Sequence, residues 1–434
     1  MRKIGPRIYC SEIPFHEGSE VELIGWIRSK RILGKIVFLV LRDSSGACQL
    51  VFKDKLAERI KKIRDESLIR VKGKVVRRKA PNPAMKTGHH EVLVNEFEVI
   101  AESQPLPIDI YNPNTSLAKR LDYRFLDLRN RRNFLIFKLR SEVLRTMRDW
   151  FYENDFIEIN PSSITLEAPE GGAEVFPIVY FDKEAYLTQS PQLFKQYAIA
   201  CGFEKVFITA PVWRAEPHFT TRHLCEFYGI DAEIAFIKDH RDIEKIIEDW
   251  LKYTIENLEN NETIKELDIK LPAPVFERIT VRDAHKLIKK EYGKEAEEEL
   301  DISWEEEKLL GNYFWLKGIP FVFVEEYGWK HKPFYHMRKE SDPSVTKGFD
   351  LLFLGLEIIT GSQREHRYEK LLEQAKEKGV SIEKIDWYLE AFKYGMPPHG
   401  GFGFGLDRFM MQLVGTTNIR EVVMFPRDPE RVKP

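Results

Sequence analysis

The N-terminal part of the chain alternates apolar and polar positions with the period of two that β-strands show. Five segments carry this alternation or a short β-branched run: VELIGWI, KIVFLVLRD, ACQLVF, SLIRVKGKVV and HEVLVNEFEVI. A segment of helical character, KDKLAERIKKIRDE, stands between the third and the fourth of them. The pattern predicts a small β module with one helix in its middle.

Strand order and charge give this module a candidate role. Five strands with a helix after the third are the order of an OB-fold, a barrel whose exposed face often binds single-stranded nucleic acid. Residues 1–105 carry 21 Lys and Arg against 13 Asp and Glu, whereas the remainder carries 46 against 56. A basic module on an acidic body favours a polyanion contact at one end. A small five-stranded barrel without a nucleic-acid role stays open as the alternative.

After the β module the pattern changes. The segment SQPLPIDIYNPNTS predicts an extended linker. Beyond it, apolar residues at spacings of three and four predict a helix with one buried stripe, formed by Ile136, Leu139, Val143, Met147 and Trp150. Strands and helices then mix without a βαβ rhythm, so the expected fold class is α+β rather than a doubly wound parallel sheet. The Glu- and Lys-rich region from about 260 to 345 predicts helices with solvated faces.

Composition excludes several classes of protein. The 434 residues are 43% hydrophobic and 31% charged, as in an ordinary globular protein of two or three domains. No apolar run approaches the roughly 20 residues of a membrane helix, and no apolar segment follows the basic start MRKIGPRIYC. Four scattered cysteines without a C-x-x-C pair predict neither disulfides nor a cysteine zinc site. We therefore expect a cytoplasmic protein with no membrane contact.

Five polar segments of the C-terminal body carry the candidate chemistry. Glu170 lies in the loop APEGGAEVFP, and Gln192 and Lys195 lie in LTQSPQLFKQ, at the start of a predicted helix. PVWRAEPHFTTRHLCEFYGIDAEIAF predicts a strand, a loop and a strand, GFDLLFLGLEIITGSQREHR carries Asp350 and Glu357, and GGFGFGLDRFMM completes the set. Arginines outside a phosphate loop, carboxylates for Mg²⁺ and an aromatic side chain for adenine suit the activation of a carboxylate by ATP.

Backbone geometry refines two of these segments. Period-two alternation places Asp350 and Glu357 on opposite faces of a straight strand, so we expect a bulge or turn near Gly355 if both contact one ion. The glycines of GGFGFGLDRFMM do not open a dinucleotide-binding βαβ unit, because too little chain follows them. They predict a strand with room for ATP against its backbone, and then a helix that begins near Arg408 and ends near Gly415.

Three segments resemble the motifs of a known family. FIEINP, VWRAE…TTRHLCEF and GFGFGLDR resemble motifs 1, 2 and 3 of the class II aminoacyl-tRNA synthetases. With the OB-like module, the chain is similar to the subclass for aspartate, asparagine and lysine, and within it to the archaeal-type aspartyl enzymes. The resemblance implies an OB-fold anticodon-binding domain over residues 1–103, a hinge or linker over 104–130 and a catalytic domain over 131–434. It also implies a mainly antiparallel sheet flanked by helices, with a helical insertion at about 260–345.

The resemblance further implies roles for individual residues. Arg214 and Arg408 are the expected catalytic residues, on the α- and γ-phosphates of ATP. The expected ATP site comprises Arg214, Glu216, Arg222, His223, Phe227, Glu357, Gly405 and Arg408. The expected aspartate site comprises Glu170, Gln192, Lys195, Asp231 and Arg364. Mg²⁺ is expected on Asp350, Glu357 and Thr360, the anticodon on Arg28, Phe38 and Gln49, and a homodimer interface at Pro161.

The identity of the amino acid depends on charge. Lys195 and Arg364 offer cations to the side-chain carboxylate of aspartate, whereas neutral asparagine needs none and lysine would be repelled. The expected reaction is activation of L-aspartate by ATP and transfer to the 3′ end of tRNA(Asp). Lys35 lies in a loop similar to that of asparaginyl relatives, so tRNA(Asn) stays open as a second acceptor. The alternatives are an asparaginyl-tRNA synthetase, an ATP-dependent aspartate–ammonia ligase and a catalytically silent tRNA-binding paralogue.

Overall fold

The computed structural model describes residues 7–166, 175–217 and 219–433. The chain divides into two compact units, and the division falls between Thr115 and Ser116. The predicted linker at 104–130 is therefore split: residues 104–115 belong to the first unit, and residues 116–130, which contain two short helices, belong to the second.

The first unit is a closed five-stranded barrel with the strand order β1-β2-β3-β5-β4. Its elements are β1 (Glu20–Leu33), β2 (Ile36–Asp43), β3 (Gly46–Lys53), α1 (Asp54–Ile60), β4 (Leu68–Arg77) and β5 (His90–Ala101), preceded by a 3-10 turn at Cys10–His16. The predicted OB-fold, with its helix after the third strand, is confirmed. Along β2, Val37, Leu39 and Leu41 are fully buried in the barrel, and the residues between them face outward, because side chains alternate along a strand.

The second unit combines eleven helices with thirteen strands in its described part. The helices are α2 (Leu117–Asp122), α3 (Arg124–Asp127), α4 (Arg131–Glu153), α5 (Gln192–Ala200), α6 (His240–Leu258), α7 (Glu262–Leu267), α8 (Val281–Tyr292), α9 (Trp304–Trp315), α10 (Tyr368–Glu377), α11 (Asp386–Ala391) and α12 (Leu406–Val414), with 3-10 turns at Trp329–His331, Ile382–Lys384 and Ile419–Glu421. The strands are β6 (Ile157–Glu158), β7 (Ile164–Thr165), β8 (Pro177–Tyr180), β9 (Lys183–Leu187), β10 (Lys205–Trp213), β11 (Glu226–Ala235), β12 (Phe276–Thr280), β13 (Phe321–Glu325), β14 (Arg338–Lys339), β15 (Asp342–Thr346), β16 (Gly348–Phe353), β17 (Leu356–Gln363) and β18 (His399–Gly405). Within the described ranges, no helix is both long and apolar enough to cross a bilayer.

An eight-stranded sheet forms the centre of the second unit, in the order β12-β13-β16-β17-β18-β11-β10-β6. Its inner pairs are antiparallel, and only the outermost pair at each edge is parallel. The predicted mainly antiparallel sheet flanked by helices is confirmed. The apolar stripe of α4 is buried as its spacing predicts, and α4 packs against α6, where Trp250 Nε1 donates to the Met147 carbonyl at 3.0 Å.

The region from 260 to 345 departs from the helical insertion that its charge density predicts. Two strands of the main sheet, β12 and β13, lie within it. All five residues of β13, FVFVE, are buried, because β13 pairs with β12 on one side and with β16 on the other. Many of the charged residues belong to the flanking helices α8 and α9 and to the loop between them, and they obscure the one short apolar run of β13 in the sequence.

Arg124 joins the two ends of the second unit. Its side chain is 2% exposed, and its Nη1 donates to Asp127 Oδ2 at 2.6 Å. The same guanidinium donates to the backbone carbonyls of Arg420, Glu421, Val423 and Met424 at 2.9–3.4 Å. One arginine at the start of the unit therefore satisfies the backbone of the C-terminal turn, which a buried carbonyl requires.

Candidate active site

A cavity of about 330 Å³ opens on the central strands β11, β17 and β18 of the second unit. Most of the predicted site residues line it: Gln192, Arg214, Glu216, Arg222, His223, Phe227, Asp231, Glu357, Thr360, Arg364, Gly405 and Arg408. Lys195, Asp350 and Pro161 do not line it. Glu170 lies outside the described residues. The antiparallel strands therefore bring together residues that are more than 200 positions apart in the sequence.

One wall of the cavity carries an arginine over an aromatic ring. Val212 on β10 pairs with Phe227 on β11, and Arg214 follows β10 at the start of the connecting loop. The Arg214 guanidinium lies over the Phe227 ring, 5.3 Å from its centroid, a cation–π geometry. The half-buried Phe227 ring and the Arg214 guanidinium therefore both line the cavity.

A second arginine that lines the cavity lies at the start of α12. Gly405 ends β18 and caps the N-terminus of α12, so Arg408 lies in the first turn of that helix. Arg408 Nη1 donates to the backbone carbonyl of Glu357 at 3.1 Å and to its carboxylate Oε2 at 3.3 Å. The helix ends at Gly415, which has a φ of +72°. The predicted strand and helix of GGFGFGLDRFMM are thus both present.

The turn expected near Gly355 is present. Leu354 and Gly355 have φ values of +51° and +77°, as in the tight turns that join hairpin strands. The register of β16 with β17 then shifts between Leu351 and Leu352, and Asp350 pairs with Thr360. This bulge allows Glu357 and Thr360 to line the same cavity although they are three positions apart.

Acidic side chains cluster around this hairpin. Lys332 Nζ donates to both oxygens of Asp350, at 2.9 and 2.8 Å. Burial raises the pKa of Asp350; Lys332 opposes that shift, and Glu357 adds to it. Burial and then Glu357 raise the pKa of Glu307 on α9 to about 8, and Glu307 Oε2 has no hydrogen-bond partner among the described residues. Oxygen donors that repel one another fit a divalent cation such as Mg²⁺.

Lys195 lies behind the cavity wall and is fully buried. Its Nζ donates to Asp231 Oδ2 at 2.9 Å and to the Phe402 carbonyl at 2.8 Å, and it lies 3.5 Å from Glu233 Oε2. Asp231, which lines the cavity, stands between this ammonium and the open space. The predicted Lys195 cation therefore lies next to the cavity, and it is paired with the Asp231 carboxylate, which lines the cavity.

Arg364 forms the second buried cation of this wall. Its Nε donates to Glu233 Oε1 at 2.9 Å, its Nη1 to Ser362 Oγ at 2.7 Å and its Nη2 to Gln192 Oε1 at 3.1 Å. Burial alone would raise the pKa of Glu233, but Arg364 and Lys195 outweigh it and hold that pKa below its usual value. Glu233 therefore stays ionised and fixes both cations.

The alternate glycines of β18 make room for these carboxylates. A Cβ at Gly401 would overlap the Ala232 carbonyl oxygen and the Glu233 carboxylate, and one at Gly403 would lie 3.2 Å from the Asp231 carboxylate. At Gly405 the nearest atom would be 3.8 Å away, an ordinary contact. Gly401 and Gly403 thus leave space for the carboxylates of Glu233 and Asp231, whereas a Cβ at Gly405 would meet no close neighbour and would extend into the cavity.

Several side chains of the site carry no local sequence signal. Lys332, His336 and Glu307 lie in the charge-rich region, where charged residues are usually solvated. Asp407 is 2% exposed; Arg140 on α4 donates to its Oδ1, and the Tyr228 backbone N–H donates to its Oδ2 at 3.1 Å. Asp407 therefore anchors the start of α12 to α4 and β11, a role that only long-range contacts reveal.

His223 is neutral at physiological pH. Burial, followed by the charge of Arg408, lowers its pKa to about 4. Its Nδ1 lies 2.7 Å from Thr220 Oγ1. An uncharged imidazole can donate or accept one hydrogen bond toward a ligand in the cavity.

The barrel of the first unit presents the three predicted anticodon residues on its outer surface. Val40 pairs with Gln49 across β2 and β3, so Gln49 and Phe38 share one face of the barrel wall. Gln49 Nε2 donates to Glu91 Oε2 at 2.6 Å. Arg28 lies at a bulge of β1, is exposed and stacks over Tyr111 at 4.9 Å. The barrel thus presents an aromatic ring at Phe38, a hydrogen-bonding amide at Gln49 and a cation at Arg28.

These features are those of the catalytic domain of class II tRNA synthetases: a mainly antiparallel sheet, an arginine after strand β10, an acidic hairpin and a second arginine at a glycine-capped helix. Residues 116–429 match the family described as "tRNA synthetases class II (D, K and N)", and residues 21–100 match "OB-fold nucleic acid binding domain". The chain belongs to this family of class II tRNA synthetases.

Curated relatives of similar length refine the comparison. The chain is 44% identical to "Aspartate--tRNA(Asp) ligase" of Pyrococcus furiosus, over 98% of this chain and 99% of the relative. It is 43% identical to "Aspartate--tRNA(Asp/Asn) ligase" of Methanocaldococcus jannaschii, over 98% of each chain. A solved asparaginyl-tRNA synthetase of Pyrococcus horikoshii, complexed with asparaginyl-adenylate, is 34% identical with a TM-score of 0.91 and 99% coverage of both chains. The relatives thus include both aspartyl and asparaginyl enzymes.

Proposed function

We propose that the chain is an aspartate–tRNA ligase, which activates L-aspartate with ATP and transfers the aspartyl group to the 3′ end of tRNA(Asp). A carboxylate oxygen of aspartate attacks the α-phosphorus, and pyrophosphate leaves. A ribose hydroxyl of the terminal adenosine then attacks the aspartyl carbonyl, and AMP leaves. The carboxylate is ionised at neutral pH and needs no general base, so positioning and fixed positive charge are the main requirements.

The arrangement of Lys195, Arg364 and Asp231 carries this proposal. Asp231 faces the cavity and suits the α-ammonium group of the substrate. Once it binds that group, Glu233 is the one carboxylate left to Lys195 and Arg364 among the described residues. Counted over these described side chains, the inner wall then has one positive charge in excess, which matches the side-chain carboxylate of aspartate. Neutral asparagine would leave that charge desolvated and unpaired.

The remaining cavity residues suit ATP. Arg214 is assigned to the α-phosphate and Arg408 to the γ-phosphate and one face of adenine, with Phe227 stacked on the other face. Glu216, Arg222, His223, Glu357 and Gly405 complete the nucleotide contacts in this assignment, and all of them line the cavity. Asp350, Glu357 and Thr360 would hold Mg²⁺, which, when bound, neutralises phosphate charge.

The tRNA side of the proposal rests on the barrel. Phe38 suits stacking on an unpaired base, Gln49 a base edge, and Arg28 a base or a phosphate. Both tRNA(Asp) and tRNA(Asn) are candidate acceptors, because the relatives include ligases of both kinds. Charging of transcripts that differ only in the third anticodon base, GUC against GUU, decides between them. Equal charging assigns both acceptors, and charging of GUC alone assigns tRNA(Asp).

The substrate itself is tested by ATP–pyrophosphate exchange. We expect exchange that depends on L-aspartate and is negligible with L-asparagine at the same concentration. Faster exchange with asparagine would assign the chain to the asparaginyl enzymes instead. The proposal also includes a homodimer with Pro161 at its interface, which sedimentation of the purified protein tests, and a cytoplasmic location, supported by four cysteines that are all free thiols.

A further inference from the structure

A histidine and two glutamates cluster outside the cavity, where α6 begins and β13 ends. His240 is the first residue of α6, Glu244 lies one turn later on the same helix face, and Glu325 is the last residue of β13. The candidate ligand atoms of all three lie within 4.8 Å of one another. His240 Nε2 is 3.8 Å from Glu325 Oε1. Among the residues that the structure describes, no other such group of three histidine, cysteine or acidic side chains is this close.

The inner atoms of this cluster have no hydrogen-bond partners. Glu244 Oε1, Glu325 Oε1 and both ring nitrogens of His240 are buried and make no hydrogen bond within the described part of the chain. Glu244 is 0% exposed and Glu325 is 3% exposed. Buried polar atoms are nearly always satisfied in native proteins, so three converging side chains with unpaired atoms indicate a missing partner.

Two arginines pair with the Oε2 atoms of Glu244 and Glu325, which point away from the cluster. The Oε1 atoms of both glutamates point towards its centre. Arg278 Nε donates to Glu244 Oε2 at 2.7 Å, and Arg241 Nη2 lies 3.5 Å from Glu325 Oε2. Arg278 also pairs with Glu248, and the Arg241 side chain is 65% exposed. The arginines therefore orient the two carboxylates without entering the space between them.

We propose that His240, Glu244 and Glu325 bind a divalent transition-metal ion of the Zn²⁺ class. Imidazole nitrogen together with carboxylate oxygen is a ligand set that Zn²⁺ accepts, whereas Mg²⁺ takes oxygen ligands. The inner oxygens of the two carboxylates would bring negative charge to the ion, while Arg278 and Arg241 hold the outer oxygens. The inference is independent of the aminoacylation reaction, because none of the three residues lines the catalytic cavity.

The ion would join the first turn of α6 to the end of β13. In the sheet, β13 pairs with β16 such that Val324 lies opposite Asp350 and Glu325 opposite Phe349. A metal at Glu325 would therefore fix the strand beside the acidic hairpin, and its role would be structural. The competing occupant is a proton, because burial and then the neighbouring Glu325 carboxylate raise the pKa of Glu244 to about 8.

Cobalt substitution tests the proposal on the full chain. After chelator treatment and dialysis, Co²⁺ is titrated into the protein, and the visible absorption of the protein-bound ion is recorded. We expect one Co²⁺ per chain, with the visible absorption of a four- or five-coordinate ion bound by nitrogen and oxygen. Zn²⁺ should displace the bound Co²⁺, and excess Mg²⁺ should not. A wild-type protein that shows no such absorption overturns the proposal and leaves the shared proton as the occupant.

Variants locate the ion. Glu244→Gln and His240→Gln should lose the absorption and the rise in melting temperature that Zn²⁺ produces in the wild type. His89→Gln, at an exposed histidine of the barrel, and Glu357→Gln, in the catalytic cavity, should keep the absorption. Absorption that survives in Glu244→Gln and disappears in Glu357→Gln would place the ion in the cavity and overturn the proposal. If Glu244→Gln does not fold, the wild-type titration and Glu357→Gln still decide.

Discussion

Replacing Lys195 by methionine removes the buried cation while keeping an unbranched apolar side chain of similar length. The ammonium is 0% exposed and donates to Asp231 at 2.9 Å and to the Phe402 carbonyl at 2.8 Å. Removing one partner of a buried ion pair typically costs about 3–5 kcal/mol. At about 1.4 kcal/mol for each factor of ten, this corresponds to roughly a 100- to 1000-fold change or more.

We expect Lys195→Met to lower kcat/KM for L-aspartate in ATP–pyrophosphate exchange by about two to three orders of magnitude. ATP binding in the absence of amino acid should be nearly unchanged, because the substitution does not alter Phe227 or Arg408, which are assigned to ATP. Lys252→Met, at a lysine of α6 whose side chain is 58% exposed, serves as the matched control and should exchange like the wild type.

Two results separate this reasoning from a loss of the fold. Lys195→Met should keep its far-ultraviolet circular dichroism and bind ATP. The wild type should discriminate against L-asparagine by at least about 100-fold, since asparagine leaves the same charge unpaired. Unchanged kcat/KM for aspartate in a folded Lys195→Met protein would refute the idea that the charge of this buried lysine, behind Asp231, stabilises the bound substrate.

Three further predictions follow from the glycine strand, a buried histidine and the acidic hairpin. Gly401→Ala should destabilise the protein by about 1–3 kcal/mol, because its Cβ would overlap the Ala232 carbonyl oxygen, whereas Gly405→Ala should keep the wild-type melting temperature and weaken ATP binding. Burial lowers the pKa of fully buried His399 to about 4, so between about pH 6.5 and pH 4 the unfolded chain takes a proton that the folded chain does not. Stability should therefore fall by about 3 kcal/mol over that window as the pH decreases, and melting curves of His399→Gln should lose this part of the pH dependence. Glu357→Gln should raise the Mg²⁺ concentration that half-saturates pyrophosphate exchange, and an unchanged Mg²⁺ titration would remove Glu357 from the ion site.

Regular patterns in the sequence predict the parts of the fold where one face of an element is buried. The outward and inward residues of β2 and the stripe of α4 follow the periods of two and of three to four. The turn at Gly355 is predictable as well from the hypothesis that Asp350 and Glu357 contact one ion, because a straight strand would place them on opposite faces. In each of these cases, local side-chain spacing and the tertiary contact agree.

Contacts between distant segments account for what the sequence does not predict. β13 is buried because it lies inside the sheet, and its five residues are too few to stand out among charged helices. Lys332 and Glu307 are brought to the acidic hairpin by that same sheet, although their neighbours are solvated. Likewise, the position of Lys195 behind Asp231 depends on how α5 packs against β10 and β11, which no spacing encodes.

The contacts of Arg124 set an order of events during synthesis of the chain. The carbonyls that its guanidinium satisfies lie 296 to 300 residues later. Until the ribosome has translated that C-terminal turn, the Arg124 guanidinium lacks the backbone carbonyls to which it donates in the folded unit. Contacts between such distant residues form late in folding, because the entropy of closing the chain between them is lost before the contacts compensate for it. The catalytic unit can therefore reach its final packing around Arg124 only after residues 420–424 have left the ribosome.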